Sequence, residues 1–542
     1  MPLEREIKVL NPKIDKNKLL ESGASYSGIV DIEDKYLRSP YEQRIFRLRK
    51  EGSRYYFGYK TEDRSSGRHK ERFEETPKIS RRTAEVMRNI GLEERVVLHK
   101  NREKFSLDDM KISLDHVDDF GDIRTVFEVE YNSYPKLVNF LQKLGIDETA
   151  FEKKDTYQLL CEKKLGEYQS IDEGVSEVVR RVEKIRNRKQ DENIIIGVSG
   201  ASGSGKTTVS EAISKKLDGK LLSLDRYYVK DAPEIAKNLG GNWDHPSLID
   251  FELINEHLKK IKNGEPIDTP LYEFETGKRK GYEKFEPSNI TVAESIYAFY
   301  PTVLDENPYD LTVATFSSTH LNLIRRLIRD IKRSKQTQEQ ILGQVANTVF
   351  PMYTLFIEPN LKKSDIKIFN TYNPLNIQDS DFQVKIPFTY FEKIKSVFDG
   401  ELKLSKKTKQ VDTIFSYSGE IDPEEEIQVR CEDNKNFLRF KMNASEKGDI
   451  KKRLNYECLV GSNASINLLF LGYKSLGEIE KEREEYELGK TKVRLDNVKN
   501  LGKFIELKSQ DKSDIELLLK RLGVKEEDVI KKTYSNLHKS LK

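Results

Sequence analysis

The 542-residue sequence has few cysteines, a single tryptophan and no long apolar run. Its three cysteines, Cys161, Cys431 and Cys458, are odd in number and widely spaced, so we predict neither a zinc site nor a disulfide framework and expect a reducing cytoplasm. No run of about 18 apolar residues is present, and the first residues lack a basic stretch followed by an apolar one, so we expect neither a membrane span nor export. Lys and Arg number 94 against 91 Asp and Glu, which argues against a polycationic surface for nucleic acid.

The length and the aromatic content indicate several folded domains. The chain is too long for one core, and 25 Phe and 25 Tyr are enough to fill more than one. Short alternating segments up to about residue 168 predict an antiparallel β domain, and a charged helix over 169–190 is interpreted as a linker. Strands alternate with helices over 191–375, which predicts a doubly wound α/β domain, and β-type segments return over 376–542.

The last domain repeats the first. The stretches "HKNREKFSLDDMKISLDHVDDFGDIRTVFEVEY" and "EKEREEYELGKTKVRLDNVKNLGKFIELKS" share the order of a basic pair, an aromatic residue, "LD.V", a glycine and an acidic strand. The segments "LGIDETAFEKKDTYQLL" and "LGVKEEDVIKKTYSNLH" also correspond. We therefore predict two copies of one β domain on either side of an α/β domain.

A glycine-rich motif follows the apolar run "NIIIGVSG" and matches G-x-x-x-x-G-K-[ST]. Its glycines let backbone N–H groups wrap a phosphate, its lysine reaches the terminal phosphates, and its threonine hydroxyl suits Mg²⁺. The buried strand before it and the amphipathic helix after it are the required context. The predicted ATP-binding residues are Gly200, Gly203, Ser204, Gly205, Lys206, Thr207 and Thr208.

Asp225 in "LLSLDRYY" ends the next predicted strand. Catalytic groups of open α/β sheets lie at that edge, so Asp225 is a candidate to accept the proton of an attacking hydroxyl or to help hold the metal. A turn or helix-capping role is the alternative.

The α/β segment resembles the uridine kinase family, which is similar to phosphoribulokinase. The likeness runs from Ile194 to Asn373 and includes "LSLDRYY", "NWDHPSLID", "PIDTPLYEFETGKRK" and "AESIYAFYP". The resemblance implies catalytic roles for Lys206 and Asp225 and metal-side roles for Thr207 and Glu294. It also implies a nucleoside pocket that includes Asp244, Tyr272 and Gln344. It further implies a helical lid that carries Arg326 and Arg329.

Three positions depart from that family pattern. Gly277 stands where the family has a base-contacting histidine, and Ser334 and Gln336 stand where the lid has further arginines. The pattern therefore predicts nucleotide binding more firmly than phosphorylation of uridine.

The chain begins with "EREIK", in which Glu4, Glu6 and Lys8 share one strand face. A solvated face is the simplest explanation of such a pattern. Same-face charges of both signs recur, however, on strand after strand of the first domain, opposite apolar faces that carry residues such as Phe46 and Val129. We therefore predict a closed antiparallel barrel whose lumen is lined with charge and binds polyphosphate together with Mg²⁺ or Mn²⁺.

These residues resemble the ExExK signature of the CYTH, or triphosphate tunnel, superfamily over about Met1 to Leu165. Supporting segments are "FRLRK", "HKNREK", "LDHVDDFG" and "FEVE", with Thr76 as a departure after Glu74. The resemblance implies metal-side acids at Glu4, Glu6, Glu128 and Glu130. It implies phosphate-binding roles for the cations Lys8, Arg47, Arg49, Lys60, Arg72, Lys100 and Arg102.

The second copy has lost acidic residues. Its opening strand is predicted at "DFQVK", with Asp381, Gln383 and Lys385; Asn455 and Lys508 replace acids on two other strands. Fewer carboxylates predict weaker metal binding, so we expect a structural, ligand-sensing or weakly active tunnel.

Together these patterns predict an Mg²⁺- or Mn²⁺-dependent phosphate-transfer enzyme that acts on triphosphate, polyphosphate and nucleoside substrates. No covalent nucleophile is predicted. Two alternatives remain at this point: a nucleotide- or polyphosphate-sensing protein with an inactive kinase domain, and an adenylate cyclase of the tunnel type. The oligomeric state is open.

Overall fold

The computed structural model describes residues 3–38, 45–60, 70–84, 93–118, 120–188, 192–273, 276–334, 336–372, 380–417, 425–444, 450–530 and 532–539. The chain divides into two compact units, Met1–Tyr168 and Gln169–Lys542. Each unit is described separately below.

The first unit is built around an antiparallel barrel. Its strands are β1 (Leu3–Leu10), β2 (Ser25–Arg38), β3 (Ile45–Glu51), β4 (Arg54–Lys60), β5 (Lys70–Glu75), β6 (Lys78–Ile79), β7 (Glu93–Leu107), β8 (Met110–Val117), β9 (Thr125–Glu130) and β10 (Glu167–Tyr168). Eight of them follow the order β3-β2-β7-β8-β9-β1-β5-β4, and pairing of β3 with β4 closes the ring, while β6 pairs with β4. The predicted antiparallel barrel is confirmed.

Helices cover the apolar outer face of this barrel. The helices of the unit are Lys16–Glu21, Tyr134–Leu144 and Thr156–Leu160, with a 3₁₀ turn at Glu148–Ala150 and a π turn at Cys161–Leu165. Ile7, Val9 and Val129 pack with Leu137 and Leu141 of the second helix in one buried cluster. Because side chains alternate along a strand, this packing turns Glu6, Lys8 and their cross-strand neighbours toward the lumen.

The second unit begins with the α/β domain. Its strands are β11 (Ile194–Gly200), β12 (Lys220–Ser223), β13 (Ile267–Glu273), β14 (Lys278–Phe285), β15 (Ile290–Glu294), β16 (Leu311–Phe316) and β17 (Ile366–Phe369). Five of them are parallel in the order β17-β16-β11-β15-β12, and β13 pairs with β14 in an antiparallel ribbon. Every residue of β11 is buried, as its unbroken apolar run predicts.

The helices of this domain are Ile171–Arg186, Lys206–Leu217 (the P-loop helix), Ala232–Asn238, Phe251–Lys262, Pro301–Leu304, Thr319–Arg333 (the lid helix), Gln338–Gln344, Phe350–Met352 and Glu358–Leu361. Short 3₁₀ turns at Leu224–Arg226 and Pro246–Leu248 and π turns at Val345–Val349 and Tyr353–Ile357 complete it. The segment interpreted as a linker helix forms the helix Ile171–Arg186. Val175, Val178 and Val182 are buried there, and a Cβ on Gly174 would lie 2.4 Å from Ile368 Cγ1 of β17, so this helix packs on the α/β sheet.

The second barrel follows in the same unit. Its strands are β18 (Ser380–Pro387), β19 (Lys403–Ser416), β20 (Glu425–Glu432), β21 (Lys435–Ala444), β22 (Lys451–Val460), β23 (Lys474–Leu488), β24 (Thr491–Val498) and β25 (Gly502–Ser509). They close in the order β18-β22-β21-β20-β19-β23-β24-β25. Its helices are Phe391–Val397, Ala464–Phe470, Lys512–Leu522 and Tyr534–Lys539, with 3₁₀ turns at Phe388–Tyr390 and Glu526–Asp528.

The α/β domain and the second barrel share one hydrophobic core. Leu323 and Leu327 of the lid helix and Ile341 of the helix after it are in the same buried cluster as Leu438 and Phe440 of β21. His320 of the lid helix packs edge-on against Phe440, with ring centroids 5.1 Å apart. Among the helices of the described ranges, none combines the length and the apolar character needed to cross a bilayer.

Candidate functional site

The glycine-rich loop approaches three other segments so closely that only glycine fits. Gly203 and Gly205 have φ angles of 87° and 94°. A Cβ on Gly203 would lie 2.7 Å from Asn322 O, and one on Gly205 would lie 2.3 Å from Asn370 Nδ2. A Cβ on Gly200 would lie 2.1 Å from Thr315 Oγ1. These glycines therefore keep the backbone N–H groups of the loop available for an anion at the N-terminus of the P-loop helix.

Side chains from distant parts of the chain hold the loop in this shape. Asn370 Nδ2 donates to Ser204 O at 2.9 Å, and the Ser204 hydroxyl lies 2.6 Å from Thr315 Oγ1. Arg325 Nη1 donates to Gly203 O at 3.1 Å. The sequence did not predict Asn370 or Arg325, because more than 100 residues separate them from the loop.

Oxygen ligands gather beside the loop. The Thr207 hydroxyl lies 3.5 Å from Glu294 Oε2, and Ser223 donates to Glu294 Oε1 at 3.0 Å. Ser295 donates to Asp225 Oδ1 at 2.7 Å. Burial, and then the charge of Asp225, raise the pKa of Glu294, while the nearby Lys206 ammonium partly opposes the rise.

This group of oxygens fits a hard divalent cation. Glu294 is only 4% exposed, and neither it nor Asp225 has a basic partner within 4.0 Å in the part of the chain that the structure describes. Lys206 is buried, and Thr207 and Thr208 are exposed on the first turn of the P-loop helix. No group of three or more His, Cys, Asp or Glu suited to a metal is present among the described residues, so the fit rests on two carboxylates and a hydroxyl.

The two predicted lid arginines lie on the lid helix and share one carboxylate. Arg326 Nη1 donates to Ser202 Oγ of the glycine-rich loop at 3.0 Å, and Arg326 Nε lies 3.1 Å from Asp330 Oδ2. Arg329 Nε donates to Asp330 Oδ1 at 2.7 Å. Arg326 is therefore at the phosphate cradle, whereas Arg329 is partly exposed one turn further along.

The predicted nucleoside pocket contains polar and aromatic residues. The Thr348 hydroxyl lies 2.7 Å from Asp244 Oδ2 and 2.9 Å from Gln344 O, so it links two of the predicted residues. Tyr272 stacks on Tyr228 with centroids 4.5 Å apart.

A tryptophan occupies the space next to the missing histidine. A Cβ on Gly277 would lie 2.5 Å from Trp243 Cη2, and Gly277 has a φ of 66°. Trp243 also lies 6.5 Å from Tyr228 between ring centroids. "NWDHP" carries the only tryptophan of the chain, and that was the available signal for this residue.

A frame of buried ion pairs lines the first tunnel. Arg49 makes a two-pronged contact with Asp34, with N–O distances of 2.6 and 2.7 Å. Arg102 binds Asp115 in the same way, and Lys100 donates to Asp115 at 2.6 Å. Burial would raise the pKa of Asp34, but Arg49, Arg47 and Lys100 together outweigh burial, and the pKa lies well below its usual range. The sequence pattern places Asp115 among the charges that face the lumen, but it did not identify Asp34, which lies opposite Arg49.

The carboxylates predicted to hold metal lie on the paired strands β1 and β9. Glu6 is directly opposite Glu130, and Lys8 is opposite Glu128. Lys8 Nζ lies 3.3 Å from Glu128 Oε1, and Arg102 donates to Glu128 Oε2 at 2.7 Å. Opposite residues of an antiparallel pair share a face, so Glu6 and Glu130 lie together on one face of the sheet. Their carboxylate oxygens suit a hard metal ion, and the side chains of Lys8 and Arg102 lie on the same strand group.

Of the remaining predicted lumen residues, only Arg47 has a side chain within the described part of the chain. Arg47 is two residues before Arg49 on β3, and its charge also lowers the pKa of Asp34. The side chains of Glu4, Lys60 and Arg72 lie outside the described residues. Their backbones do show register: Glu4 is opposite Arg72, and Lys60 is opposite Glu74.

The second tunnel keeps the ion-pair frame and encloses a cavity of about 320 Å³. Arg430 makes a two-pronged contact with Asp412 (2.6 and 2.7 Å), and Arg483 makes one with Asp496 (2.6 Å for both). Lys481 Nζ lies 3.2 Å from Asp412 Oδ2. The two arginine contacts repeat those of Arg49 and Arg102 in the first tunnel, whereas Lys481 contacts the counterpart of Asp34 and Lys100 contacts Asp115.

Comparison with known families agrees with this arrangement. Residues 2–145 and 393–534 match the family described as CYTH domain, and residues 195–373 match the Phosphoribulokinase / Uridine kinase family. The chain belongs to the CYTH family. Its two CYTH domains flank a domain of the Phosphoribulokinase / Uridine kinase family, as the sequence predicts.

Several curated proteins resemble this CYTH chain over long segments. Uridine-cytidine kinase C of Dictyostelium discoideum is 29% identical over 404 residues, which is 71% of this chain and 86% of that protein. Inorganic pyrophosphatase TTM2 of Arabidopsis thaliana is 30% identical over 376 residues, 67% of this chain but 54% of that protein. Uridine kinase of Staphylococcus epidermidis is 37% identical over 183 residues, 33% of this chain and 88% of that protein. The CYTH chain thus spans only about half the length of the plant relative.

Proposed function

We propose that this chain carries two phosphate-transfer activities. The P-loop domain, residues 191–375 with the preceding helix over 169–190, would transfer a phosphoryl group from ATP to a nucleoside hydroxyl. The first CYTH domain, residues 1–168, would hydrolyse a triphosphate or a related polyphosphate. The observation that carries the proposal is that in both places carboxylates lie beside cations that suit phosphate: Glu294 beside Lys206, and Glu128 beside Lys8 and Arg102.

In the P-loop domain, Gly200 to Thr208 would hold the phosphates of ATP through backbone N–H groups and Lys206. Thr207 and Glu294 would hold Mg²⁺ or Mn²⁺, which when bound neutralises charge on the phosphate oxygens. Asp225 would accept the proton of the attacking hydroxyl, oriented by the hydrogen bond from Ser295. Arg326 already contacts the loop, so it would stabilise negative charge on the transferring phosphoryl group, with Arg329 behind it.

The acceptor would be a nucleoside held by aromatic and polar contacts. The stacked pair of Tyr228 and Tyr272 offers an apolar face, and Asp244 and Gln344 offer polar groups linked through Thr348. Trp243 lies against Gly277, where the family has a base-contacting histidine. We therefore propose that base selectivity in this domain depends on stacking more than on a histidine contact.

In the first tunnel, the lumen cations would bind the phosphate chain, and Glu6, Glu128 and Glu130, with Glu4, would hold the divalent cation. Lys8, Arg47, Arg49, Lys60, Arg72, Lys100 and Arg102 form the predicted cation set. Arg102 bridges Asp115 and Glu128, so it would couple the phosphate wall to the metal-side strand. A carboxylate of this strand would orient water for attack on the terminal phosphorus.

The substrates we propose are small phosphorylated molecules. The relatives named inorganic pyrophosphatase and uridine kinase support that class. Mg²⁺ or Mn²⁺ as the cation and the cytoplasm as the compartment belong to the same proposal. Neither a nucleic acid nor a membrane is part of it.

The test separates the two sites on the full chain. Phosphate release from tripolyphosphate and pyrophosphate, and ADP formation with uridine or cytidine as acceptor, are measured with Mg²⁺ or Mn²⁺. The variants are Glu4→Gln/Glu6→Gln in the tunnel, and Lys206→Ala and Asp225→Asn in the P-loop domain.

We expect the tunnel variant to lose hydrolysis of the phosphate chain and to keep nucleoside-dependent ADP formation, and the P-loop variants to show the reverse. Phosphate release that depends only on Lys206 would refute the tunnel assignment. ADP formation that is indifferent to added nucleoside in every variant would refute the kinase assignment.

A further inference from the structure

The second tunnel lacks the pair of opposed acids that the first tunnel has on its opening strand and its last strand. In the first tunnel Glu6 is opposite Glu130; at the matching register of β18 and β25, Gln383 is opposite Lys508. Two carboxylates are thus replaced by an amide and an ammonium. The equivalence is secure because the next pair along also matches: Lys8 opposite Glu128, and Lys385 opposite Glu506.

The ammonium group of Lys508 also neutralises the remaining acid of the opening strand. Lys508 Nζ lies 2.7 Å from Asp381 Oδ2. Asp381 corresponds to Glu4, because it is opposite Arg453 as Glu4 is opposite Arg72. A divalent cation at this place would have to displace an ion pair and approach a positive charge, so the residues of the second tunnel do not fit the metal site that the family implies.

A third acid is missing where β21 pairs with β22. Lys441 is opposite Asn455, whereas the matching Lys60 of the first tunnel is opposite Glu74. The nearest carboxylate that Lys441 retains is Glu426, with an N–O distance of 3.6 Å. Burial, and to a smaller extent Arg439, lower the pKa of Lys441 well below its usual value.

Arg453 on the next strand is in a similar position. It lines the cavity and is 9% exposed, and among the residues that the structure describes no carboxylate lies within 4.0 Å of its guanidinium. Buried cations without full neutralisation are costly, and an anion in the lumen removes that cost.

We propose that the second tunnel is a binding site for a condensed phosphate chain that needs no divalent metal and is not hydrolysed there. The cations that face the cavity come from six different strands: Lys385, Arg430, Lys441, Arg453, Arg483 and Lys508. A chain of phosphates repeats its charge along its length, so it can contact cations on several walls of a 320 Å³ cavity at once. A single phosphate contacts one wall.

The first test measures binding without metal. Tripolyphosphate is titrated into the full chain carrying Lys206→Ala, in EDTA, by isothermal titration calorimetry. The lumen variant Lys441→Gln/Arg453→Gln is compared with Lys409→Gln/Lys503→Gln, which removes two charges from exposed positions of the same barrel. We expect at least tenfold weaker binding to the second tunnel in the lumen variant and no change in the exposed-charge variant.

The second test restores the lost acids and remains informative if the lumen variant folds poorly. Gln383→Glu/Lys508→Glu should weaken the metal-free binding at least tenfold and create one additional Mn²⁺ site, read by electron paramagnetic resonance of free Mn²⁺. Added hydrolysis is not required for this result.

The ligand source is tested by comparing tripolyphosphate with ATP in the Lys206→Ala background. Tight binding of tripolyphosphate alone identifies an inorganic chain, and equal binding of both identifies the phosphate tail of a nucleotide; either supports the proposal. No metal-free binding, or binding that both double variants leave unchanged, would overturn it. Because the tripolyphosphate and ATP binding measurements use EDTA, their failure is independent of the metal-dependent activities proposed above.

Discussion

The two tunnels of this chain share a frame and differ on one strand pair. Both keep a two-pronged Arg–Asp contact on neighbouring strands, Arg49 with Asp34 and Arg430 with Asp412. They diverge where β1 meets β9 and β18 meets β25: Glu6 faces Glu130 in one, and Gln383 faces Lys508 in the other. The retained frame is common to both lumens, and we propose that the divergent pair decides whether a divalent cation can bind.

This difference separates two roles that charged residues have in a barrel lumen. The Arg–Asp contacts are almost fully buried and the two charges neutralise each other, so these contacts stabilise the barrels. Glu6 and Glu130, by contrast, face each other on β1 and β9 and are the pair that we propose to bind the metal. A change of three charge units on that pair therefore alters ligand chemistry without altering the fold.

The largest expected effect comes from making the first tunnel resemble the second. The variant Glu6→Gln/Glu130→Lys gives the first tunnel the same residue types that the second tunnel has at Gln383 and Lys508. Because a bound divalent cation is worth several kcal/mol to phosphoryl transfer, we expect tripolyphosphate hydrolysis with Mn²⁺ to fall on the order of 10³-fold.

The control for this prediction is Glu506→Gln in the second tunnel, which should leave hydrolysis unchanged. Retained activity in the first-tunnel variant would mean that its other carboxylates suffice. A loss in the Glu506 variant would mean that the second tunnel contributes to hydrolysis.

The shared frame can be broken in either barrel. Arg49→Met and Arg430→Met each leave an almost fully buried aspartate without its guanidinium partner. We expect each to lower the free energy of unfolding of its own barrel by about 3–5 kcal/mol in chemical denaturation. Asp34→Asn/Arg49→Met and Asp412→Asn/Arg430→Met remove both charges and should recover much of the loss; no recovery would show that packing, not charge, is responsible.

The contact between the second barrel and the lid helix predicts a pH effect. His320 Nε2 is buried and has no hydrogen-bond partner within the described residues, and burial lowers the pKa of His320 to about 4 from 6.5. As the pH falls below 6.5, the unfolded chain binds a proton that the folded chain does not. His320 therefore does not reduce the free energy of unfolding above pH 6.5. About 3 kcal/mol of that free energy is lost as the pH falls from 6.5 towards 4.

His320→Phe keeps the aromatic contact with Phe440 and removes the titration. The unfolding free energy of the two proteins, measured from pH 7 to pH 4, should diverge in favour of the variant. Parallel curves would show that His320 is protonated in the folded protein or is hydrated.

The smallest expected effect concerns metal-free binding and pH. Burial lowers the pKa of Lys481 to about 8, although the carboxylate of Asp412 opposes the change. The groups that face Lys481 are Asp412, Arg430, Arg483, Asp496 and the ring of Tyr534. Loss of the ammonium charge above pH 8 should weaken tripolyphosphate binding in EDTA by about tenfold between pH 7 and pH 9. Lys481→Arg, which stays charged, should flatten that dependence.

The fold was largely predictable because its signals are local. Alternation of charged and apolar residues indicated the barrels, and the apolar run before the glycine-rich loop indicated the parallel sheet; both are confirmed. The order of barrel, α/β domain and barrel is likewise confirmed by the family matches. The packing of the helix Ile171–Arg186 on the α/β sheet was not predicted, because its charge pattern resembles that of a solvated helix.

The sites were predictable only in part. Residues that share a strand face with a motif, such as Glu6, Lys8 and Arg49, followed from alternation. Asn370 and Trp243 did not, because they act through contacts with Ser204 and Gly277 that only the folded chain brings together. The roles assigned to the predicted catalytic and binding residues stay predictions until they are measured.

The core shared by the lid helix and β21 has a practical consequence for dissecting the molecule. Leu323, Leu327 and Ile341 belong to the same buried cluster as Leu438 and Phe440. A fragment that stops after β17 would present this apolar surface to water, and a fragment that starts at β18 would present its counterpart. We expect both fragments to aggregate or to bind chaperones, whereas residues 169–542 together should melt in a single transition. We therefore expect the smallest independently folding piece that contains the kinase-like domain to include the second tunnel.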